Sequence, residues 1–102
     1  MVDEATEVSV ADNPGANRYE VSVDGKVVGF SAYVLRPDRL IFTHTEVDPA
    51  VEGRGIGSRL ARGALDDART RGLQVTPRCP FIAAYVRRHP EYEDLVRLPG
   101  RG

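Results

Sequence analysis

At 102 residues the chain has room for one domain with a modest core and none for a second. Its 14 Lys and Arg are interspersed with 15 Asp and Glu, and a net charge of −1 makes no electrostatic case for nucleic acid or an anionic membrane. A lone cysteine excludes an internal disulfide, and with two scattered histidines it offers no closed metal site.

Residues 1–8 are acidic, sparse in apolar groups and unlike a signal peptide. They are expected to form a flexible tail before a single domain over 9–97, with 98–102 as a second tail. No apolar run approaches the ~20 residues that span a bilayer, so a cytoplasmic protein is expected. Residues 6–11 offer an edge strand, and Asp12-Asn13-Pro14-Gly15 a loop. Stretches 18–23 and 27–35 alternate polar and apolar side chains. The Asp24-Gly25 pair between them suits a type I′ hairpin turn, which needs positive φ at both central residues. Arg36-Pro37-Asp38-Arg39 makes a second turn into a strand over 40–47. Simple alternation puts Leu40, Phe42, His44 and Glu46 on one face of that strand. This half reads as an antiparallel meander.

The period then changes. Ile56, Leu60, Ala64 and Ala68 recur at helical spacing, widened by Ala61 and Leu65, and Arg71-Gly72 closes the helix. Residues 73–76 form a short strand. Cys79-Pro80 opens a second helix over 81–88, stopped by His89-Pro90. A meander followed by strand, helix, strand and helix is an α/β layout with a mixed sheet.

Between the fourth strand and the first helix lies a turn with Gly53, Gly55 and Gly57 at every second position. Such a turn lets backbone N–H groups converge at the positive end of a helix, where a phosphate or pyrophosphate is favoured. The spacing is one residue short of a dinucleotide-binding fingerprint, and Ser58-Arg59 replaces the Lys-Ser/Thr of a P-loop. Cys79 is the sharpest candidate for chemistry. Pro80 at the first helical position makes it the N-cap, and the helix end favours a thiolate there. The alternative is a small buried hydrophobe. His44 suits the role of a general base, and Glu46, two residues on, could orient it or act as the base. Both also fit a half-buried sheet or a solvated strand end. Arg59 and Arg62 could reach an outer phosphate, or Arg62 could simply pair with Asp66 at i,i+4.

Val47-Asp48-Pro49 followed by Gly55-Ile56-Gly57 resembles the signature of the GNAT family of N-acetyltransferases, with Glu52 where Gln or Arg is usual and Arg54 the nearest basic group. Cys79-Pro80-Phe81 and His89-Pro90-Glu91-Tyr92 stand in the order seen in the short, single-domain, YidJ-type branch, and the similarity runs from about residue 11 to 96. The resemblance implies the GNAT acyl-CoA N-acyltransferase fold: a meander continuing into a mixed sheet with flanking helices, its C-terminal strands missing or shortened. It implies acetyl-CoA as co-substrate, an amine as acceptor and no metal. Thr45 and Val47 would follow the pantetheine arm, while Gly53, Arg54, Gly55, Ile56, Gly57 and Ser58 would hold the pyrophosphate. Tyr85 matches by spacing a tyrosine that protonates the departing thiolate, although His89-Pro90 replaces the family's Gly-Phe; otherwise it is a core aromatic. Tyr92 and His89 read as closing the second helix. Acetyl transfer is either direct or through Cys79, and the rival function is a non-catalytic module that binds CoA or acyl-CoA.

Overall fold

A computed structural model describes residues 7–96. Five strands form one sheet in chain order: β1 (Val8–Asn13), β2 (Arg18–Val23), β3 (Lys26–Arg36), β4 (Arg39–Val47) and β5 (Gln74–Pro77). The first four run antiparallel, and β5 lies parallel to β4 across the helix α1 (Ile56–Thr70). Helix α2 (Pro80–Arg88) follows, then a 3-10 segment, Pro90–Leu95. Beyond β5 the strand-like pairing among the described residues is one bridge, Val75 to Val96. The mixed α/β layout is therefore as expected. Most of the expected tail 1–8 and all of 98–102 fall outside the described residues, as does residue 97, but Val8 already opens β1.

The hairpin between β2 and β3 turns at Asp24 and Gly25, both with positive φ, as its type requires. Helix α1 buries Ile56, Leu60, Ala61, Ala64, Leu65 and Ala68, a stripe at 3.6-residue spacing. Against it the sheet presents Tyr19, Val21, Leu40, Phe42 and Val75, all buried. Each large apolar side chain so buried contributes about 1.5–3 kcal/mol.

One feature of β4 departs from simple alternation. Tyr33 pairs with Phe42, but the next residue of β3, Ala32, pairs with His44, so Thr43 is an extra residue. Such a bulge reverses the facing of everything beyond it. Leu40 and Phe42 point into the core, whereas His44 and Glu46 are exposed on the opposite face. The expectation that these four share a face is corrected. Thr45 instead faces the core side, opposite the fully buried Ser31.

The edge strand β1 is held by a polar network over the core. The Tyr33 hydroxyl donates to Asp12 and the Tyr19 hydroxyl to Asp67, each at 2.6 Å. Arg71 Nη1 donates to Asp12, Asp67 and the Tyr19 oxygen at 3.1–3.3 Å. Helix α1 also comes very close to β1: a Cβ on Gly63 would stand 2.8 Å from Val10 Cβ.

Two predictions follow from these contacts. Gly63→Ala should destabilise the fold by about 1–3 kcal/mol, since the contacted atom is the branch point of a β-branched residue and cannot swing aside; an unchanged urea midpoint would count against the close packing. Burial, then the hydrogen bond to Asp12, pushes the Tyr33 phenol from 10.0 up to about 12. Burial and the bond to Asp67 raise Tyr19 in the same direction. From about pH 10 upward the unfolded chain loses these protons while the folded chain keeps them, so stability falls as pH rises. Urea titrations should show that fall between about pH 10 and 12, and Tyr33→Phe should lessen it.

Candidate functional site

The end of β4 and the start of α1 shape the main concavity. Asp48 N–H donates to the Val28 carbonyl at 2.7 Å, and its carboxylate accepts from Ala50 N–H at 2.9 Å, fixing a 3-10 turn over Pro49–Val51. Gly55, at φ 76°, is the N-cap of α1, a backbone state that side-chain-bearing residues rarely adopt. Among the described residues no side chain caps this helix start. Its first-turn N–H groups have no intrahelical acceptors, so they are donors at the positive end of a 15-residue dipole.

These groups border a cleft of about 500 Å³ lined by Thr45, Val47, Val51, Glu52, Gly53, Gly55, Ile56, Gly57, Ser58 and Phe81. Of the positions expected to hold a pyrophosphate or its arm, only Arg54 is not in this lining. Ser58 belongs to the first turn of α1 rather than to the loop. Phe81 and Val51 were not foreseen as cleft residues. Phe81 is 36% exposed, and a Cβ on Gly57 would stand 2.8 Å from its Cζ, so Gly57 lets backbone and aromatic ring meet. The only sequence signal for Phe81 was its place directly after Cys79-Pro80.

The cleft continues along a parting in the sheet. Strands β4 and β5 pair only from Arg39–Gln74 to Phe42–Pro77, and Cys79 N–H then donates to the Phe42 carbonyl at 2.9 Å. Beyond that point residues 43–47 have no strand partner on this side among the described residues. A part-buried relay borders the cleft: Ser31 Oγ and Thr45 Oγ1 are 2.9 Å apart, and Thr45 Oγ1 and Cys79 Sγ 3.2 Å. Cys79 is indeed the N-cap of α2, but its side chain makes no cap hydrogen bond, and the residue is 2% exposed. It does not line the cleft itself, and its sulfur reaches the lining residue Thr45.

On the opposite face, His44 Nε2 donates to Glu46 Oε2 at 2.8 Å, with side chains 59% and 64% exposed. Tyr85 lies away from both. Its ring is buried and stacked on His89 at 3.9 Å, and His89 Nδ1 donates to the Tyr85 carbonyl at 2.8 Å. Burial raises the Tyr85 phenol above its ordinary value, against the opposing charge of Arg62. His89 thus closes α2. Tyr92 donates to Asp66 Oδ1 at 2.6 Å, which ties the 3-10 segment Pro90–Leu95 to α1. No helix among the described residues is long and apolar enough to cross a membrane.

Comparisons with known proteins agree with this architecture. A sequence-family model described as GCN5-related N-acetyl-transferase matches residues 18–95. Protein NATD1 of Mus musculus is 42% identical over 55 residues, covering 54% of this chain and 50% of that protein. Streptothricin acetyltransferase of Streptomyces lavendulae is 43% identical over 75 residues, covering 66% of this chain and 40% of that one. The matched stretch spans about half the length, or less, of these curated relatives. The solution structure of a GCN5-like protein from Staphylococcus aureus superposes with a TM-score of 0.65 at 18% identity, over 89% of this chain and 87% of that one.

The position of Cys79 yields a prediction. A thiol reagent such as Ellman's should label the native protein far more slowly than the urea-unfolded chain. Equal rates would mean that the sulfur is open to the cleft.

Proposed function

The chain belongs to the GCN5-related N-acetyltransferase family, and from that premise we propose that it transfers an acetyl group directly from acetyl-CoA to an amine. The observation that carries the reading is the uncapped first turn of α1 forming one wall of the cleft. Converging N–H donors at a helix start favour an anion such as a diphosphate. At Gly57 this wall has no side chain and packs against the Phe81 ring, so Phe81 borders the diphosphate's seat.

Acetyl-CoA supplies a thioester-activated acetyl group; the rest falls to the chain. Amides of Ile56, Gly57 and Ser58, with the loop from Gly53 through Arg54 and Gly55, hold the diphosphate. The backbone of residues 43–47 offers its free edge to the amide-bearing arm, and N–H groups near Val47 polarise the reacting carbonyl. Glu46 accepts from the imidazole of His44 and orients it, so that the free ring nitrogen removes a proton from the amine as its nitrogen bonds the acetyl carbon; the C–S bond breaks, and the CoA thiolate leaves and takes a proton from solvent. Because His44 and Glu46 face away from Thr45, amine and acetyl carrier approach β4 from opposite sides. Cys79 acts as a positioning residue that holds Thr45, and a residue only 2% exposed suits that role better than nucleophilic attack. Tyr85, buried against His89, serves as a core aromatic. A balanced charge and a single thiol suit the reducing cytoplasm.

A non-catalytic CoA-binding module is the second reading. It is favoured by Glu52, whose carboxylate stands among the cleft residues and repels a diphosphate.

Calorimetry should show acetyl-CoA binding that weakens about tenfold or more in Gly57→Asp, whose side chain displaces the Phe81 ring and brings a carboxylate to the cleft wall. Release of free CoA with a panel of primary amines should accompany it. His44→Ala should lower kcat by about 10²–10⁴ and leave acetyl-CoA affinity unchanged. Binding without CoA release for any amine would favour the module. A stable acetyl adduct on Cys79, seen by mass spectrometry, would overturn direct transfer.

A further inference from the structure

The sheet face turned away from the helices carries an ordered set of side chains. Strands β2, β3 and β4 are registered so that Glu20, Phe30 and Glu46 form one cross-strand row, and Arg18, Ala32 and His44 the next. The Phe30 ring therefore lies between two carboxylates. It already receives a cation: the Arg18 guanidinium sits 4.5 Å above its centroid, while Arg18 Nε donates to Glu20 Oε2 at 2.8 Å. On the other side the His44 ring is 6.0 Å away, carrying its bond to Glu46. A second concavity of about 310 Å³ opens here, with Arg18, Val27, Phe30, Glu46 and Val47 among its lining residues. Val47 also lines the cleft beside α1, so the two concavities flank the end of β4.

We propose that Phe30 is the recognition platform for the acceptor, a primary ammonium on an unbranched alkyl stem, with Arg18 as an internal placeholder that the ammonium displaces. This rests on the acyltransfer reading above, and it assigns the substrate class of that site. The ring face attracts a cation, and the carboxylates on either side add to that attraction. Exposed Val27 on the concavity's wall suits an aliphatic stem. Displaced Arg18 keeps its partner Glu20, which also accepts from Asn13 Nδ2 at 3.1 Å, so displacement strands no buried charge. The ammonium then lies next to the His44–Glu46 pair. The opening is shallow on the sheet surface, so a free diamine and a lysine side chain present the same chemistry to it.

The test titrates the isotope-labelled full chain with pentane-1,5-diamine, with a capped lysine peptide and with pentan-1-ol, following amide chemical shifts. Saturable shifts centred on Arg18, Phe30, His44 and Glu46 are expected for at least one of the two amines and absent for the alcohol; the tighter amine identifies the source. Phe30→Leu should weaken the amine about fivefold or more, and Arg18→Gln should tighten it. In turnover assays Phe30→Leu should raise the amine KM and leave acetyl-CoA affinity unchanged. Shifts confined to other surfaces, or no response to either variant, overturn the proposal. If amines bind here but no CoA is released, the acyltransfer reading fails and the platform stands; if CoA is released with an amine KM indifferent to Phe30, the reverse holds.

Discussion

A single unpaired residue, Thr43, governs how this sheet is used. Without it, β4 would run with one constant alternation, and His44 and Glu46 would be buried beneath α1 with Leu40 and Phe42. A pair of polar, ionisable groups in that position would be costly unless compensated. With Thr43 inserted between the Tyr33–Phe42 and Ala32–His44 pairs, the strand reverses its faces midway. Its first part completes the core, and its last part divides into a hydroxyl and a valine toward the cleft and an imidazole and a carboxylate toward solvent. Two chemically different surfaces then lie one peptide thickness apart, which is what a reaction between two substrates requires.

The polar network at the other end of the sheet is the structural counterpart. Edge strands are weakly held by hydrogen bonding from one side alone. Here Asp12 at the end of β1 is tied to Tyr33 and Arg71, and Gly63 allows α1 to press against Val10. Tyr19 and Asp67 extend the same ties from β2 to the end of α1. The edge strand thus gains through side chains the cohesion that an interior strand draws from a second neighbour.

Much of the fold was legible in the sequence because it rests on local signals. The apolar stripe of α1, the Asp24-Gly25 turn and the Cys79-Pro80 helix start all act over a few residues, and each element lies within a residue or two of its expected place. The fold implied by the glycine loop and its flanking Val47-Asp48-Pro49 agrees with the family match over 18–95. What stayed hidden depends on contacts far apart in sequence. The bulge follows from how β4 must meet β3 and α1 together, and nothing around Thr43 announces it. Cys79 could be placed at a helix start from Pro80 alone, but the direction of its sulfur is set by Thr45, 34 residues away. Likewise, Phe30 looks like any alternating strand residue until the register sets it between Glu20 and Glu46. The YidJ-type branch rests on its two short motifs alone.

The parting of β4 from β5 after Phe42 and Pro77 has an evolutionary consequence. Main-chain amides and carbonyls are the same whatever residue carries them. A binding edge built from them survives substitution at residues 43–47, provided the strand keeps its path. In the proposed reaction, side chains around the His44–Glu46 pair on the solvent side are then free to drift toward new acceptors while the main-chain edge is preserved, so one scaffold can diversify in specificity without first losing its chemistry.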